Sequence, residues 1–444
     1  MSIRFFVLAN IALFASTQAF AADNQPASKA DAEFKIPPVS EFTKIEIFPK
    51  EAKLKGLDDA LQVVITGTTK SGMLLDLTRE CKYETENKIV ARVSGTGKLV
   101  PLANGTTEIK ALFGDKTLSL KVSSEDCDKN LPINFANQIV PIFTKLSCNS
   151  GGCHGKASGQ NGFKLSLLGF DPDLDYISLV EESRGRRLLP SSPENSLLLT
   201  KAVGSAPHGG GKKMDIDSDE YKLVRRWISS GMPLGKPEDP KVVRLSIFPE
   251  NRIMPRQAQQ QFIAFAHYSD GSIEDITRRA QYESNDQDIA TVDANALVQT
   301  HGMAGEAAIM VRYGEFVNTF RATVPLSQKP KEFAFNENNF VDKLTVAKWR
   351  QLGLMPSELC YDDQFIRRLS LDLTGSLPTP TQVKAFVESN NPNKRKELVE
   401  KLLDSPEYSY YFASKWADIL RVKRGGQQDK MKGTFAFHGW IRDA

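Results

Sequence analysis

The sequence predicts a multidomain chain: two all-β sandwiches, a small all-α domain between them, and an all-α C-terminal domain. Three observations predict it. Ile47-Phe48-Pro49 returns as Ile247-Phe248-Pro249, and Asp76-Leu77-Thr78-Arg79 returns as Asp275-Ile276-Thr277-Arg278, so a β-rich unit of period-two patterning occurs twice. Between the copies lies a cluster of two cysteines and a histidine, Cys148, Cys153 and His154. From Phe335 onward the apolar spacing changes from two to the helical period.

Residues 1–22 read as a secretory signal: Arg4 precedes the apolar run Phe5 to Ala15, and Ala19-Phe20-Ala21 supplies the small residues of a cleavage site. The run is too short for a stable membrane anchor, and no later stretch approaches a membrane helix, so the expectation is export to the periplasm or cell surface without a membrane span. Residues 23–42, with Pro26, Pro37 and Pro38, form a leader. The first sandwich occupies 43–125 and the second 241–326; Tyr83-Glu84-Thr85 aligns with Tyr282-Glu283-Ser284 and Val93 with Val292. The intervening domain spans 130–235 and leaves through Gly235-Lys236-Pro237-Glu238-Asp239-Pro240.

In 335–444, Phe340, Val341, Leu344 and Ala347 mark a first helix, and Asp362-Asp363 is expected to cap a second. Thr379-Pro380 opens a third; stripes at 396–403 and 410–420 follow. The pattern at His438 to Ala444 carries no C-terminal signal, which leads us to expect further helices beyond.

Lys plus Arg number 57 and Asp plus Glu 54, a net +3 that gives no reason to expect nucleic acid or an anionic membrane as partner. Five cysteines cannot all pair. If the three outside the cluster form a bridge, Cys81 to Cys127 is the expected one, although Cys81 aligns with Ala280 and the sandwich does not need it. His267, His301 and His438 are isolated and no Gly-x-Ser-x-Gly elbow occurs, so the sequence names no catalytic group.

The chemistry rests on Cys148-Asn149-Ser150-Gly151-Gly152-Cys153-His154-Gly155. Two thiols can add to haem vinyl groups, and a histidine directly after the second can ligate the iron. The usual run has two residues between the cysteines and this one has four; Gly151 and Gly152 are expected to fold the extra length into a bulge. A Cys148–Cys153 disulfide is the rival reading, and zinc a third, with only His208 near enough in sequence to assist.

Flanking segments suit haem: Phe135 to Phe143 reads as a short helix bent by Pro141, and Ser218 caps a helix whose stripe is Leu223, Val224, Trp227 and Ile228. The sixth ligand is left between His208, ahead of Gly209-Gly210-Gly211, and Met214. Arg184, Arg186, Arg187 and Lys212 are candidates to neutralise haem propionates. Leu165, Leu167, Leu168, Phe170, Leu198, Leu199 and Trp227 are expected in the pocket or core.

The run from Cys148 to Gly155, with Leu167-Leu168-Gly169-Phe170-Asp171-Pro172, Arg184-Gly185-Arg186-Arg187, Ser196-Leu197-Leu198-Leu199, His208-Gly209-Gly210-Gly211-Lys212 and Arg226-Trp227-Ile228, resembles the planctomycete cytochrome C family. That resemblance covers nearly all of the chain after the signal. It implies a cytochrome c-like haem domain holding one covalent haem c, flanked by bacterial immunoglobulin-like group 2 domains and followed by a helical domain of unknown function. The expected role is electron transfer to a redox partner protein, with the sandwiches as spacers or docking modules near that partner or a surface glycan. Two rivals are a surface-binding scaffold without haem and an accessory redox component of polysaccharide degradation.

Overall fold

The computed structural model describes residues 34–327, 332–422 and 433–444; the expected signal at 1–22 and all but the end of the leader lie outside them. The chain forms two compact units, one ending at Met355 and one running from Pro356 to Ala444.

The first sandwich is built from β1 (Phe42–Phe48), β2 (Glu51–Lys55), β3 (Leu61–Gln62), β4 (Val64–Thr69), β5 (Leu74–Asp76), β6 (Lys82–Thr85), β7 (Ala91–Val93), β8 (Lys98–Pro101), β9 (Gly105–Phe113) and β10 (Lys116–Glu125). They assemble as β1-β4-β5, β2-β10-β9-β6 and β3-β8-β7. The second copy is β11 (Val242–Phe248), β12 (Asn251–Ile253), β13 (Gln259–Gln261), β14 (Ile263–Tyr268), β15 (Ile273–Asp275), β16 (Gln281–Ser284), β17 (Ala290–Val292), β18 (Leu297–Thr300), β19 (Gly305–Tyr313) and β20 (Phe316–Val324). Its sheets, β11-β14-β15, β12-β20-β19-β16 and β13-β18-β17, repeat the same order. Period-two patterning accounts for both: in β10, Leu120, Val122 and Ser124 are buried while Ser119 and Lys121 face out.

The repeated Asp-x-Thr motif does the same work twice. Thr78 N donates to Asp76 Oδ1 at 2.8 Å and Ile65 N to Thr78 Oγ1 at 2.9 Å; the equivalents are Thr277 N to Asp275 Oδ1 at 2.8 Å and Ala264 N to Thr277 Oγ1 at 3.0 Å. The second oxygen of each aspartate reaches the other sandwich. Gln62 N donates to Asp275 Oδ2 at 2.5 Å, and Gln261 N donates to Asp76 Oδ2 at 2.5 Å. Phe48 stacks on Phe248 with ring centroids 3.7 Å apart. The two copies therefore meet face to face through corresponding residues, as subunits do across a two-fold axis. Burial pushes both carboxyl groups up from their ordinary value, against the hydrogen bonds they accept.

Between the sandwiches, a π-helical turn at Phe135–Ile139 runs into α1 (Val140–Lys145), with Pro141 in its first turn, where a missing N–H costs least. α2 (Pro172–Tyr176), α3 (Leu197–Ala202) and α4 (Asp219–Ser229) follow. Ser218 Oγ caps α4 by accepting from Tyr221 N at 3.2 Å, and Tyr221, Leu223, Val224, Trp227 and Ile228 bury one face with Phe135, Phe143 and Leu199.

The other face of α4 is tied to both sandwiches. Asp219 accepts from Lys98 Nζ at 2.6 Å and from Arg278 Nη1 at 3.1 Å. Lys145 pairs with Glu220 at 2.7 Å and also reaches the Arg278 carbonyl; Arg226 bonds Asp58 and, at 2.7 Å, the Leu131 carbonyl.

No Cys81–Cys127 bridge forms. Cys81 is in the core of the first sandwich, whereas Cys127 lies beyond β10 with its sulfur 3.7 Å from the Glu125 carbonyl, and both thiols are free. α5 (Phe340–Leu352), capped by Asn339 and Asp342, folds with the first unit: Lys348 pairs with Glu306 and Leu326 N donates to Leu352 O at 2.8 Å.

The second unit comprises α6 (Asp362–Thr374), α7 (Pro380–Glu388), α8 (Lys394–Leu403), α9 (Pro406–Ile419) and α10 (Gly433–Asp443), with Ile366, Phe386, Ala413 and Ala417 among its buried side chains. Thr379 and Gln382 form a capping box for α7. Asp362 is not the expected cap of α6, whose N-cap is Tyr361; its carboxylate is taken by Lys394 at 2.7 Å and Arg395 at 2.7 Å, which pin α8 against α6.

The reciprocal contact makes a paired prediction. Asp76→Ala and Asp275→Ala each strand a buried Gln N–H of the opposite sandwich, and each is expected to cost about 2 kcal/mol. Urea unfolding of the two single variants should give similar losses.

Candidate functional site

The loop after α1 is wound by its own backbone. Cys148 N donates to Phe143 O at 2.8 Å, Cys153 N and Gly155 N to Ser150 O at 3.0 Å each, and His154 N to Cys148 O at 3.0 Å. The Asn149 amide, fully buried, donates to Thr144 Oγ1 at 2.9 Å. The extra length is not absorbed where the sequence suggests. A Cβ on Gly152 would meet nothing and one on Gly151 only Leu167 Cδ1 at an ordinary 3.9 Å, and neither has a left-handed backbone, while Ser147 takes φ 59° and a Cβ on Gly155 would lie 1.9 Å from the Asn149 carbonyl oxygen. Gly155 is the residue on which the tight winding depends.

His154 is aimed by the strand-like return that follows it. Leu165 N donates to His154 O at 2.9 Å, and His154 Nδ1 lies 3.0 Å from Phe163 O, which leaves Nε2 without a partner among the described residues. Burial holds the imidazole below its ordinary pKa, so it is neutral at neutral pH. Behind the return stand two buried groups. The Arg187 guanidinium covers the Phe163 ring at 4.7 Å and donates to the carbonyls of Ser178 at 2.7 Å, Glu182 at 3.1 Å and Gly162 at 2.8 Å. Asp175 accepts from Ser166 N at 2.5 Å and Ser166 Oγ at 2.9 Å.

His208 arrives from the loop after α3. Its Nδ1 is 2.8 Å from Gly211 O, again leaving Nε2 without a partner among the described residues, and its ring lies 6.3 Å from that of His154, with planes 7° apart. Both imidazoles open onto a cavity of 360 Å³ lined also by Cys148, Cys153, Arg186, Arg187 and Met214. Phe143, Phe163, Leu165, Leu197 and Leu198 supply its apolar walls. Cys148, Cys153, His154, Arg186, Arg187, His208 and Met214, all singled out in the sequence, thus meet in one place, together with Lys201 and Lys213, which no local pattern marks.

Their roles divide. Arg186 is exposed at the wall with no hydrogen bond among the described residues, whereas Arg187 is buried and spent on carbonyls, so it braces the wall rather than waiting for a ligand. Arg184 and Lys212 are off the lining, and Lys212 pairs with Asp215. Met214 lines the cavity but is also 6% exposed and packed in the domain core. Leu167 and Phe170, expected inside, are 52% and 79% exposed, because Leu168 at φ 57° turns that loop outward.

Cys148 and Cys153 are both free thiols, not a disulfide. Burial pushes the Cys148 thiol up to about 11 against the pull of Lys213, so it stays protonated at neutral pH. Among the described residues no group of three or more His, Cys, Asp or Glu is placed to hold a metal ion.

Comparison with known proteins reaches both sides of this site. Residues 41–123 match the bacterial Ig-like domain (group 2), and residues 340–444 match the PSCyt2 family, described as a protein of unknown function (DUF1549). Ice-binding protein 1 of Shewanella frigidimarina (strain NCIMB 400) is 26% identical over 258 residues, 57% of this chain; the chain spans 25% of that relative's length. Among solved structures, domains 5-6 of the S-layer protein SbsC align over 64% of this chain and 97% of theirs at 12% identity and TM-score 0.26. Extracellular domains 3-5 of Drosophila OTK align over 64% of this chain and 62% of theirs at 7% identity and TM-score 0.14. Likenesses this low carry no structural argument. Among the described residues no helix is long and apolar enough to cross a membrane.

Two variants separate the glycines: Gly155→Ala is expected to destabilise the protein by about 3 kcal/mol, since backbone must move, and Gly152→Ala to be neutral within about 0.5 kcal/mol. Thermal unfolding of both measures this.

Asp175 supplies a pH dependence. Burial, only partly offset by its bonds from Ser166, raises its pKa from 3.8 to about 6. The folded chain keeps a proton there that the unfolded chain releases, so stability falls as pH rises through that window and levels off above about 6. Asp175→Asn removes the titration. Calorimetry at pH 4.5 and 7 should find the wild type losing ground to this variant at the higher pH.

Proposed function

We propose that residues 130–235 form a cytochrome c-like domain that holds one covalently attached haem and that the chain carries electrons outside the cytoplasm. The observation that carries this reading is the pair of parallel imidazoles, 6.3 Å apart, opening with two free thiols onto one apolar cavity.

The residues fit the group. Imidazole nitrogens at about 2.0 Å from a metal would fit between ring centres 6.3 Å apart, so His154 and His208 could hold one iron between them. Each Nδ1 is held by a backbone carbonyl, the arrangement that orients a ligating histidine and leaves Nε2 for the metal. The cavity volume lies in the roughly 300–1,000 Å³ range of cofactor sites. Cys148 and Cys153 would hold haem through thioethers, His154 and His208 through iron, and Arg186, Lys201 and Lys213 through its carboxylates. Met214 is then a packing residue. Bound there, haem would supply one-electron exchange between ferrous and ferric iron.

His154 and His208 take the role of ligands held in fixed orientation. Their carbonyl partners lie on loops braced by Arg187 and by the Gly209-Gly210-Gly211 turn, so the rings need not reorient when a charge arrives. Phe143, Leu165, Leu197 and Leu198 exclude water from the interior side. The sandwiches, one matching bacterial Ig-like domains, serve as the extracytoplasmic frame for this domain. A scaffold reading without haem draws on that match and on the relative named for ice binding.

The test is protein exported from a host with a haem-attachment system. The haem stain should survive SDS and disappear in a Cys148→Ser, Cys153→Ser double variant. His208→Ala should turn the oxidised spectrum from low-spin to high-spin, while Met214→Leu should leave it low-spin. Colourless protein with Cys148 joined to Cys153 would favour the scaffold.

A further inference from the structure

The segment that aims His154 is a tight hairpin. Gln160 N donates to Phe163 O at 2.9 Å and Phe163 N to Gln160 O at 3.0 Å, while Asn161 at φ 51° and Gly162 at φ 72° take the positive angles that a type I′ turn requires at both central positions. The Phe163 carbonyl that closes this hairpin is the one 3.0 Å from His154 Nδ1, and the Phe163 ring lies against the imidazole with centroids 4.5 Å apart. A lone hairpin is marginal in water. Whatever backs it therefore decides how firmly the His154 ring is aimed.

That backing is Arg187. Its Nη2 donates to Gly162 O at the hairpin tip at 2.8 Å and to Ser183 Oγ at 3.2 Å, and its Nη1 to Ser178 O at 2.7 Å and Glu182 O at 3.1 Å. The guanidinium carbon is 4.7 Å from the centre of the Phe163 ring. One planar fork thus joins the hairpin to the turns that follow α2. Among the described residues Arg187 is the one Lys or Arg buried like the apolar core, at 4% exposed. Half-buried arginines elsewhere meet a carboxylate, as Arg279 meets Glu274 and Arg278 meets Asp219. Arg187 meets only neutral acceptors among the described residues. Glu182, the acid that faces it, offers its carbonyl, while a carboxylate oxygen accepts from Ser178 Oγ at 3.2 Å.

A cation kept from water without a counter-ion is costly. This one also lines the cavity, where an apolar wall screens its charge far less than water would. Ferric iron carries one more positive charge than ferrous, so the oxidised form is the one this guanidinium disfavours. We propose that Arg187 is a positioning residue, clamping the Gln160–Phe163 hairpin that aims His154, and that its unpaired charge tilts the site toward ferrous iron. The clamp stands on hydrogen bonds of the chain alone; the tilt rests on the haem reading.

The tilt is read as the ferrous-to-ferric ratio of stained, exported protein poised against a one-electron mediator. Arg187→Gln removes the charge and should lower that ratio about tenfold, which is about 59 mV for one electron. Arg187→Lys keeps the charge and should stay within about threefold of the wild type, and Arg184→Gln, off the lining, within about twofold. Glu182→Gln keeps the carbonyl, removes the facing carboxylate and should raise the ratio about twofold. A stained Arg187→Gln protein with an unchanged or higher ratio would sink the tilt. If that variant does not fold, a Glu182→Gln ratio that fails to rise sinks it instead.

The clamp is read without haem, by native amide exchange on the Cys148→Ser, Cys153→Ser chain. Adding Arg187→Gln or Arg187→Lys should speed exchange at the Phe163 and Leu165 amides about tenfold while those of α4 keep their protection. Equal protection in all three chains would overturn the clamp. Wild-type protein that takes no haem stain would remove the haem reading and the tilt with it, and exchange would then judge the clamp alone.

Discussion

Asp219 is the point through which the three domains of the first unit are held in one arrangement. It receives Lys98 from one sandwich and Arg278 from the other while sitting in the first turn of α4, where a negative charge also suits the helix dipole. The opposite face of the same helix supplies Trp227, Val224 and Ile228 to the core that backs the cavity. An eleven-residue helix thus spends its apolar side on the site and its polar side on the frame. Each ion pair alone is worth little where it meets water. Their joint effect is geometric, because Lys145, Glu220, Arg226 and Asp58 allow one seating of the helix on two rigid sandwiches.

Much of this was legible in the residues. The repeat predicted two like sandwiches, and the structure gives them the same strand order throughout. Ser218 and the stripe from Leu223 to Ile228 predicted α4, and Thr379-Pro380 predicted α7, because caps and apolar periodicity are local signals. Of the residues singled out at the candidate site, Cys148, Cys153, His154, Arg186, Arg187, His208 and Met214 line one cavity. Their spacing drew attention to them because reactive and ligating side chains are few.

What escaped has physical reasons. Lys201 and Lys213 reach the cavity only through the path of the loop after α3, and a lysine in sequence looks like any solvated lysine. Arg187 differs from Arg186 only in which way the chain turns, yet one is buried under Phe163 contacts and the other is free. Gly151 and Gly152 invited the bulge by composition, but the crowded atom is the Asn149 carbonyl opposite Gly155, a contact six residues back that no local rule anticipates. The outward turn at Leu168 reverses an apolar run that in sequence reads as core.

The stacked Phe48 and Phe248, with the crossed Asp76 and Asp275 bonds, describe a surface that is its own complement. Such a surface on a lone module would recruit neighbouring molecules. Here the inserted helical segment acts as a tether, which raises the local concentration of one copy around the other to the millimolar order and makes self-pairing within a chain outcompete pairing between chains. The insertion is in turn gripped by the modules it joins, so duplication and insertion together close the complementary faces on each other within one chain.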